Sequence, residues 1–281
     1  MRKSFFIFSL VLISSCGFNR VEDQYFKDAV KLRNEGDLSN SIDMFKKVIS
    51  TAPRSDKAKE SLYLLGEVYF QTGEAKKSIK VFKAYLDLAS PRGKRKFTIL
   101  NRMGTLYYQK LGDPQQGLGY YVKALDYAPS REDRFDVFLN MGDCYFKMYR
   151  FDTAVEYFNK AVMEVDRTKD ENIIPRLQEA LYYMAFSYSI LRGDMNESVM
   201  AKKPGEIASV DPLKKTIEIL DKCIKYSDKS KYGILCKFEK AENLVELDEK
   251  AKALAILMEL RDSYPNKAVI ETKIKKLEEG K

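Results

Sequence analysis

A chain of 281 residues, 45% hydrophobic and 32% charged, has the balance of a globular protein and the length of one large domain or two ordinary ones. Its 14 glycines and 8 prolines are too few for the turns of an all-β fold, so a mainly helical protein is expected. Histidine is absent, which excludes Ser-His-Asp and Cys-His nucleophile systems, histidine-bound zinc and imidazole general bases.

The first segment has the three parts of a secretory signal: a basic start at Arg2 and Lys3, an apolar run from Phe5 to Ile13, and small residues Ser14 and Ser15. The apolar run is about half the roughly 20 residues that span a bilayer, so a retained transmembrane helix is not expected. Cysteine follows at once, and Leu12-Ile13-Ser14-Ser15-Cys16 resembles the bacterial lipobox. That resemblance implies lipidation of Cys16 and cleavage after Ser15, giving a signal peptide over 1–15 and a lipidated linker over 16–20. Gly17 is not the aspartate that retains many such lipoproteins in the inner membrane. The expected location is therefore the outer membrane, lipid-anchored, on its periplasmic face. Acyl chains contribute about 0.8 kcal/mol for each buried CH₂, enough together for a lasting anchor.

Three cysteines remain, Cys144, Cys223 and Cys236, at spacings that make no C-x-x-C redox or zinc pair. They read as small apolar packing residues, with a Cys223–Cys236 disulfide as the alternative in an oxidising compartment.

From residue 21 onward the chain repeats itself. Leu65-Gly66-Glu67-Val68-Tyr69, Met103-Gly104-Thr105-Leu106-Tyr107 and Met141-Gly142-Asp143-Cys144-Tyr145 share one pattern, with glycines 38 residues apart. A second column follows, with Ser78 and Phe82 after the first glycine and Ala154 and Phe158 after the third. After Gly104 the spacing is one residue longer, giving Gly117 and Tyr121. Ala29, Ser41 and Phe45 extend the columns backward; Ala241, Ala253 and Leu257 extend them forward, and a degenerate copy is built on Ala185 and Tyr188. Two amphipathic helices per repeat, A and B, explain the columns.

The pattern closely resembles the tetratricopeptide repeat (TPR). The resemblance implies an all-α, right-handed superhelical TPR solenoid of about six helix-turn-helix repeats over 21–281, with a capping helix over 267–279 whose Val269, Ile270, Ile274 and Leu277 face inward. Each repeat is incomplete alone, because only a stacked neighbour covers its apolar face. Asp113-Pro114 and Ser130 are expected helix starts. The period breaks at a basic elbow, Ser90 to Lys96, and at an insertion over 193–212 between the helices of the fifth repeat.

No phosphate-binding, dinucleotide-binding or nucleophile-elbow motif is present, so no catalytic residue is assigned, and no cofactor or metal is expected beyond the lipid on Cys16. The net charge of +8 is spread along the chain, so it reads as solubility plus affinity for anionic headgroups rather than nucleic-acid binding. Arg92, Lys94, Arg95 and Lys96 form the one cluster dense enough for an anionic contact. In solenoids of this family helix A makes the inner wall. Projection onto it yields Phe26, Tyr63, Phe70, Tyr108, Phe146, Tyr182, Phe186 and Phe238, interleaved with Glu60, Glu67, Asp136, Asp143, Glu179 and Glu242. Such a wall suits an extended or helical peptide with apolar anchors and positive charge. Val30, Glu67 and Thr105 stand where a carboxylate-clamping relative would carry asparagine or basic residues.

By resemblance, the expected role is a scaffold for other envelope proteins. It is similar to the lipoprotein of the β-barrel assembly machinery (BamD-like), with a pilotin-like secretin or pilus factor and a surface-exposed binding lipoprotein as alternatives. No small-molecule substrate is expected.

Overall fold

The computed structural model describes residues 13–165, 170–198 and 212–280, and every element among them is helical. The chain divides after Tyr127 into two units. The first contains α1 (Ile13–Asn34), α2 (Leu38–Thr51), α3 (Asp56–Gln71), α4 (Ala75–Ala89), α5 (Gly93–Thr105), a π-helical turn (Leu106–Lys110) and α6 (Pro114–Leu125). The second contains α7 (Arg131–Lys147), α8 (Phe151–Glu164), α9 (Ile174–Ser198), α10 (Pro212–Tyr226), α11 (Lys231–Glu246), α12 (Lys250–Leu260) and α13 (Lys267–Glu279). Odd-numbered helices up to α11 are the A helices and even-numbered ones the B helices, so each unit holds three pairs, and α13 closes the second. Ile270 and Ile274 of α13 are buried, with Leu277 packed beside them on the last pair.

Local signals set the helix ends. Asp37, Ser55, Asp113, Ser130, Ser230 and Asn266 each cap a helix by accepting from a backbone N–H three residues on. In the turns between A and B the chain enters the left-handed region, at Gly36, Gly73 and Gly112 and, in the fourth and sixth pairs, at Tyr149 and Asp248.

The packing rule within a pair is direct. Phe82, Tyr121 and Phe158 of the B helices lie on Gly66, Gly104 and Gly142, where an added Cβ would meet the rings at 2.5–2.6 Å. The first B column reinforces this, since Ser41 donates to the Ala29 carbonyl and Ser78 to the Gly66 carbonyl, at 2.9 and 2.8 Å. The absent side chain on helix A is what admits a fully buried aromatic from helix B, a burial that contributes about 2–3 kcal/mol. The longer spacing after Gly104 is absorbed by the π-helical turn, where Leu111 N–H bonds back five residues to the Leu106 carbonyl. The register recovers, and Gly117 again lies against the Gly104 carbonyl.

Cys223 and Cys236 do not pack as free thiols: they form a disulfide that ties α10 to α11, both sulfurs fully buried. Each lies on the face its helix turns toward the other, which residue spacing alone does not specify. Cys144 is free and buried. Beside the disulfide, buried Gln178 donates to the carbonyls of Cys223 and Ser227 and accepts from Ser230, fastening α9 to the α10–α11 turn.

Residues 16–20 lie within α1; the Cys16 side chain, most of the signal segment and 199–211 of the insertion lie outside the described residues. The first part of the insertion is helical, as α9 runs on to Ser198. Among the described residues no helix is long and apolar enough to cross a membrane.

Candidate functional site: the A-helix walls

The A helices of each unit present their side chains in a register that pairs one repeat with the next. An acid six residues before the small-residue position meets a partner nine residues before that position in the following repeat. Asp23 pairs with Lys57, Glu60 with Arg95 at 2.5 Å, and Asp136 with Arg176; at the fourth such step Tyr232 donates to Glu179 at 2.5 Å. A second row lies two turns on, where Arg102 of α5 pairs with Glu67 of α3. The same cations cover the wall's aromatic rings. Arg95 lies 4.5 Å from the centre of Tyr63 and Arg102 4.7 Å from that of Phe70. Lys273 of α13 closes the second unit likewise, paired with Glu242 and over Phe238.

In the first unit, therefore, the predicted wall residues Glu60, Tyr63, Glu67 and Phe70 are already engaged by the protein's own arginines. Glu67 is 8% exposed, and burial raises its pKa against the pull of Arg102. Phe26 packs edge-on against Phe45 and borders an open depression of about 510 Å³ along α1 with Lys27, Val30 and Lys31. Tyr108 lies in the π-helical turn with its Cβ against α6 at Gly117, which carries it toward helix B.

The second unit differs. Phe146 is ringed by Phe151, Tyr183 and Phe186 at 5.1–6.0 Å, Tyr182 stacks on Phe186, and both Tyr182 and Tyr183 contact Tyr232. Phe238 stacks on Tyr264 at 4.6 Å. Among these half-buried rings lie two carboxylates with strongly raised pKa values. Asp143 is pushed up to about 7 by burial and then by the Glu179 charge, with Arg176 and Lys147 opposing. Glu239 is pushed up to about 7 by burial and by Glu242, with Lys273 opposing. Tyr183, Tyr232, Glu239 and Tyr264 were absent from the predicted wall. The signal that could have found Tyr232 is the nine-before, six-before register, which places it opposite Glu179 as it places Arg95 opposite Glu60.

The basic elbow is divided. Arg95 is committed to Glu60, and Lys96 donates to the Tyr127 hydroxyl at 2.9 Å. Arg92 and Lys94 stand exposed at the start of α5. Among the described residues no group of acids and cysteines is placed to hold a metal ion.

Six helix pairs among the described residues, three of them with a glycine beneath a B-helix aromatic, define an all-helical TPR-type solenoid. Tetratricopeptide-repeat family models match residues 59–91, 135–163 and 236–267. Solved structures share the fold. The C-terminal part of a TPR protein from Cytophaga hutchinsonii is 16% identical with a TM-score of 0.64, the match covering 92% of each chain. Pseudomonas aeruginosa PilF is 15% identical with a TM-score of 0.54, covering 94% of this chain and all of that one. YrrB, described as a TPR protein with an unusual peptide-binding site, is 18% identical with a TM-score of 0.54, covering 78% and 97%. A search of curated proteins finds no match. Repeats of this kind mediate protein–protein interactions.

Proposed function

We propose that this protein is a lipid-anchored scaffold of the bacterial outer membrane that grips segments of other envelope proteins along its A-helix walls, in outer-membrane protein assembly. The observation that carries the binding role is the second unit's wall, where half-buried aromatic rings surround Asp143 and Glu239. Rings of this kind bury large apolar area on contact, and the carboxylates favour a partner with positive charge. The peptide-binding site attributed to YrrB lies on the same type of fold and is consistent with this use.

The envelope location rests on the lipobox-like Leu12-to-Cys16 run, with support from the Cys223–Cys236 disulfide, a bond that persists in oxidising compartments. A pilotin-like role in secretin or pilus assembly is the second reading; the PilF likeness bears on fold alone.

Crosslinked purification from detergent-solubilised membranes, with Cys16→Ala as control, tests the assignment. Recovery of a barrel insertase with its accessory lipoproteins supports the assembly role, and a dominant secretin or pilus subunit replaces it with the pilotin role. No stable partner, or no acyl label lost in Cys16→Ala, overturns the anchored scaffold.

A further inference from the structure

The chain contains its own template for what Asp143 lacks. Asp143 directly follows the small-residue position of its repeat, as Glu67 does in the second repeat, and Phe146 stands three residues on, as Phe70 does. In the second repeat, the helix of the next pair supplies Arg102, whose guanidinium pairs with Glu67 and lies over Phe70. In the fourth repeat, the equivalent residue of the next A helix is Tyr183, whose ring packs on Phe146 at 5.1 Å and brings no charge.

The neighbouring cations do not make up the loss. Arg176 is committed to Asp136 and lies over Phe135, and Lys147 is an exposed residue one turn along α7. Glu179 adds a second negative charge, held in place by the Tyr232 hydroxyl. One step on, the column that holds Arg102 holds Glu239 instead, again acidic and beside Tyr182. Asp143 remains partly open to solvent.

We propose that Asp143, with Glu179 beside it and the rings of Phe146, Tyr183 and Tyr232 around it, is a seat for the guanidinium group of an arginine in a partner polypeptide, the external counterpart of Arg102. Arginine is favoured over lysine because its flat, weakly hydrated cation meets a carboxylate and an aromatic face together, as Arg95 and Arg102 do within the chain. This rests on the peptide-binding reading above and names the feature of the peptide that the second unit selects.

The test uses the full chain and two acetylated, amidated pentapeptides, Leu-Phe-Arg-Phe-Leu and the same sequence with uncharged citrulline for arginine, titrated calorimetrically at pH 8. The arginine peptide is expected to bind at least tenfold more tightly than the citrulline peptide, with Asp143→Asn abolishing the difference and Asp143→Glu retaining most of it. Tyr183→Arg, which supplies the missing guanidinium from within, should also abolish it while helical content by circular dichroism is unchanged; this keeps the proposal open to refutation should Asp143→Asn fold poorly. Equal binding of both peptides overturns the arginine seat while leaving an apolar peptide groove standing. No binding of either peptide overturns the seat, and the membrane crosslinking then decides the scaffold reading separately.

Discussion

Arg102 on α5 reaches back one repeat to Glu67 on α3, and in doing so lays its guanidinium over Phe70. The pair joins two A helices that have no backbone hydrogen bonds between them, so side chains alone carry the register from one repeat to the next. Glu67 Oε1 is buried without a hydrogen bond, so the carboxylate depends on Arg102 for its charge balance.

Arg102→Met is therefore expected to lower stability by about 3 kcal/mol at pH 8, because a buried charge loses its partner. Desolvation already raises the Glu67 pKa, and without Arg102 it rises further. Protonation at pH 4.5 then relieves much of the loss. Urea denaturation at the two pH values checks this, and equal losses at both would show that Arg102 acts by packing alone.

Gly142→Ala and Gly66→Ala each drive a methyl into a buried ring at 2.5–2.6 Å. A loss of about 1–3 kcal/mol is expected for either, as is usual for overpacking a close helix contact. Pairing Gly142→Ala with Phe158→Leu should recover part of it, measured as a double-mutant cycle.

Tyr149 occupies the left-handed turn position held by glycine in the first three pairs, and is 82% exposed. Tyr149→Gly should raise stability by about 0.5–1 kcal/mol by removing backbone strain, despite the greater freedom of glycine in the unfolded chain. Thermal melts of the two proteins decide the sign.

Replacing both Cys223 and Cys236 by alanine opens a short loop between α10 and α11. A loss of about 2–4 kcal/mol is expected, read from the urea midpoint of the variant against the oxidised parent. Reduced parent protein should fall close to the variant.

Asp143 and Glu239 hold protons more tightly folded than unfolded, at about 7 against the ordinary carboxylate value of about 4. Their contribution to stability therefore falls as pH rises from about 4 to 7 and is flat beyond. Asp143→Asn with Glu239→Gln is expected to melt higher than the parent at pH 8 and within a degree or two of it at pH 4.

The repeat columns were legible because they are local: Gly66, Gly104 and Gly142 must recur at one period for each B-helix aromatic to find its gap, and capping residues act within three positions. The extra residue after Gly104 was also visible, although its resolution as a π-helical turn was not. The inner-wall list named Glu60, Glu67 and Asp136 as acidic wall residues without their partners Arg95, Arg102 and Arg176, since each pairing spans 35 to 40 residues and depends on which faces of two helices meet. The Cys223–Cys236 bond had the same obstacle. Periodicity along one chain specifies helices, turns and small-to-aromatic contacts, because those follow from spacing and excluded volume. Whether a charge on one helix is neutralised from the next, as at Glu67, or left waiting, as at Asp143, depends on side chains brought together only when the helices stack.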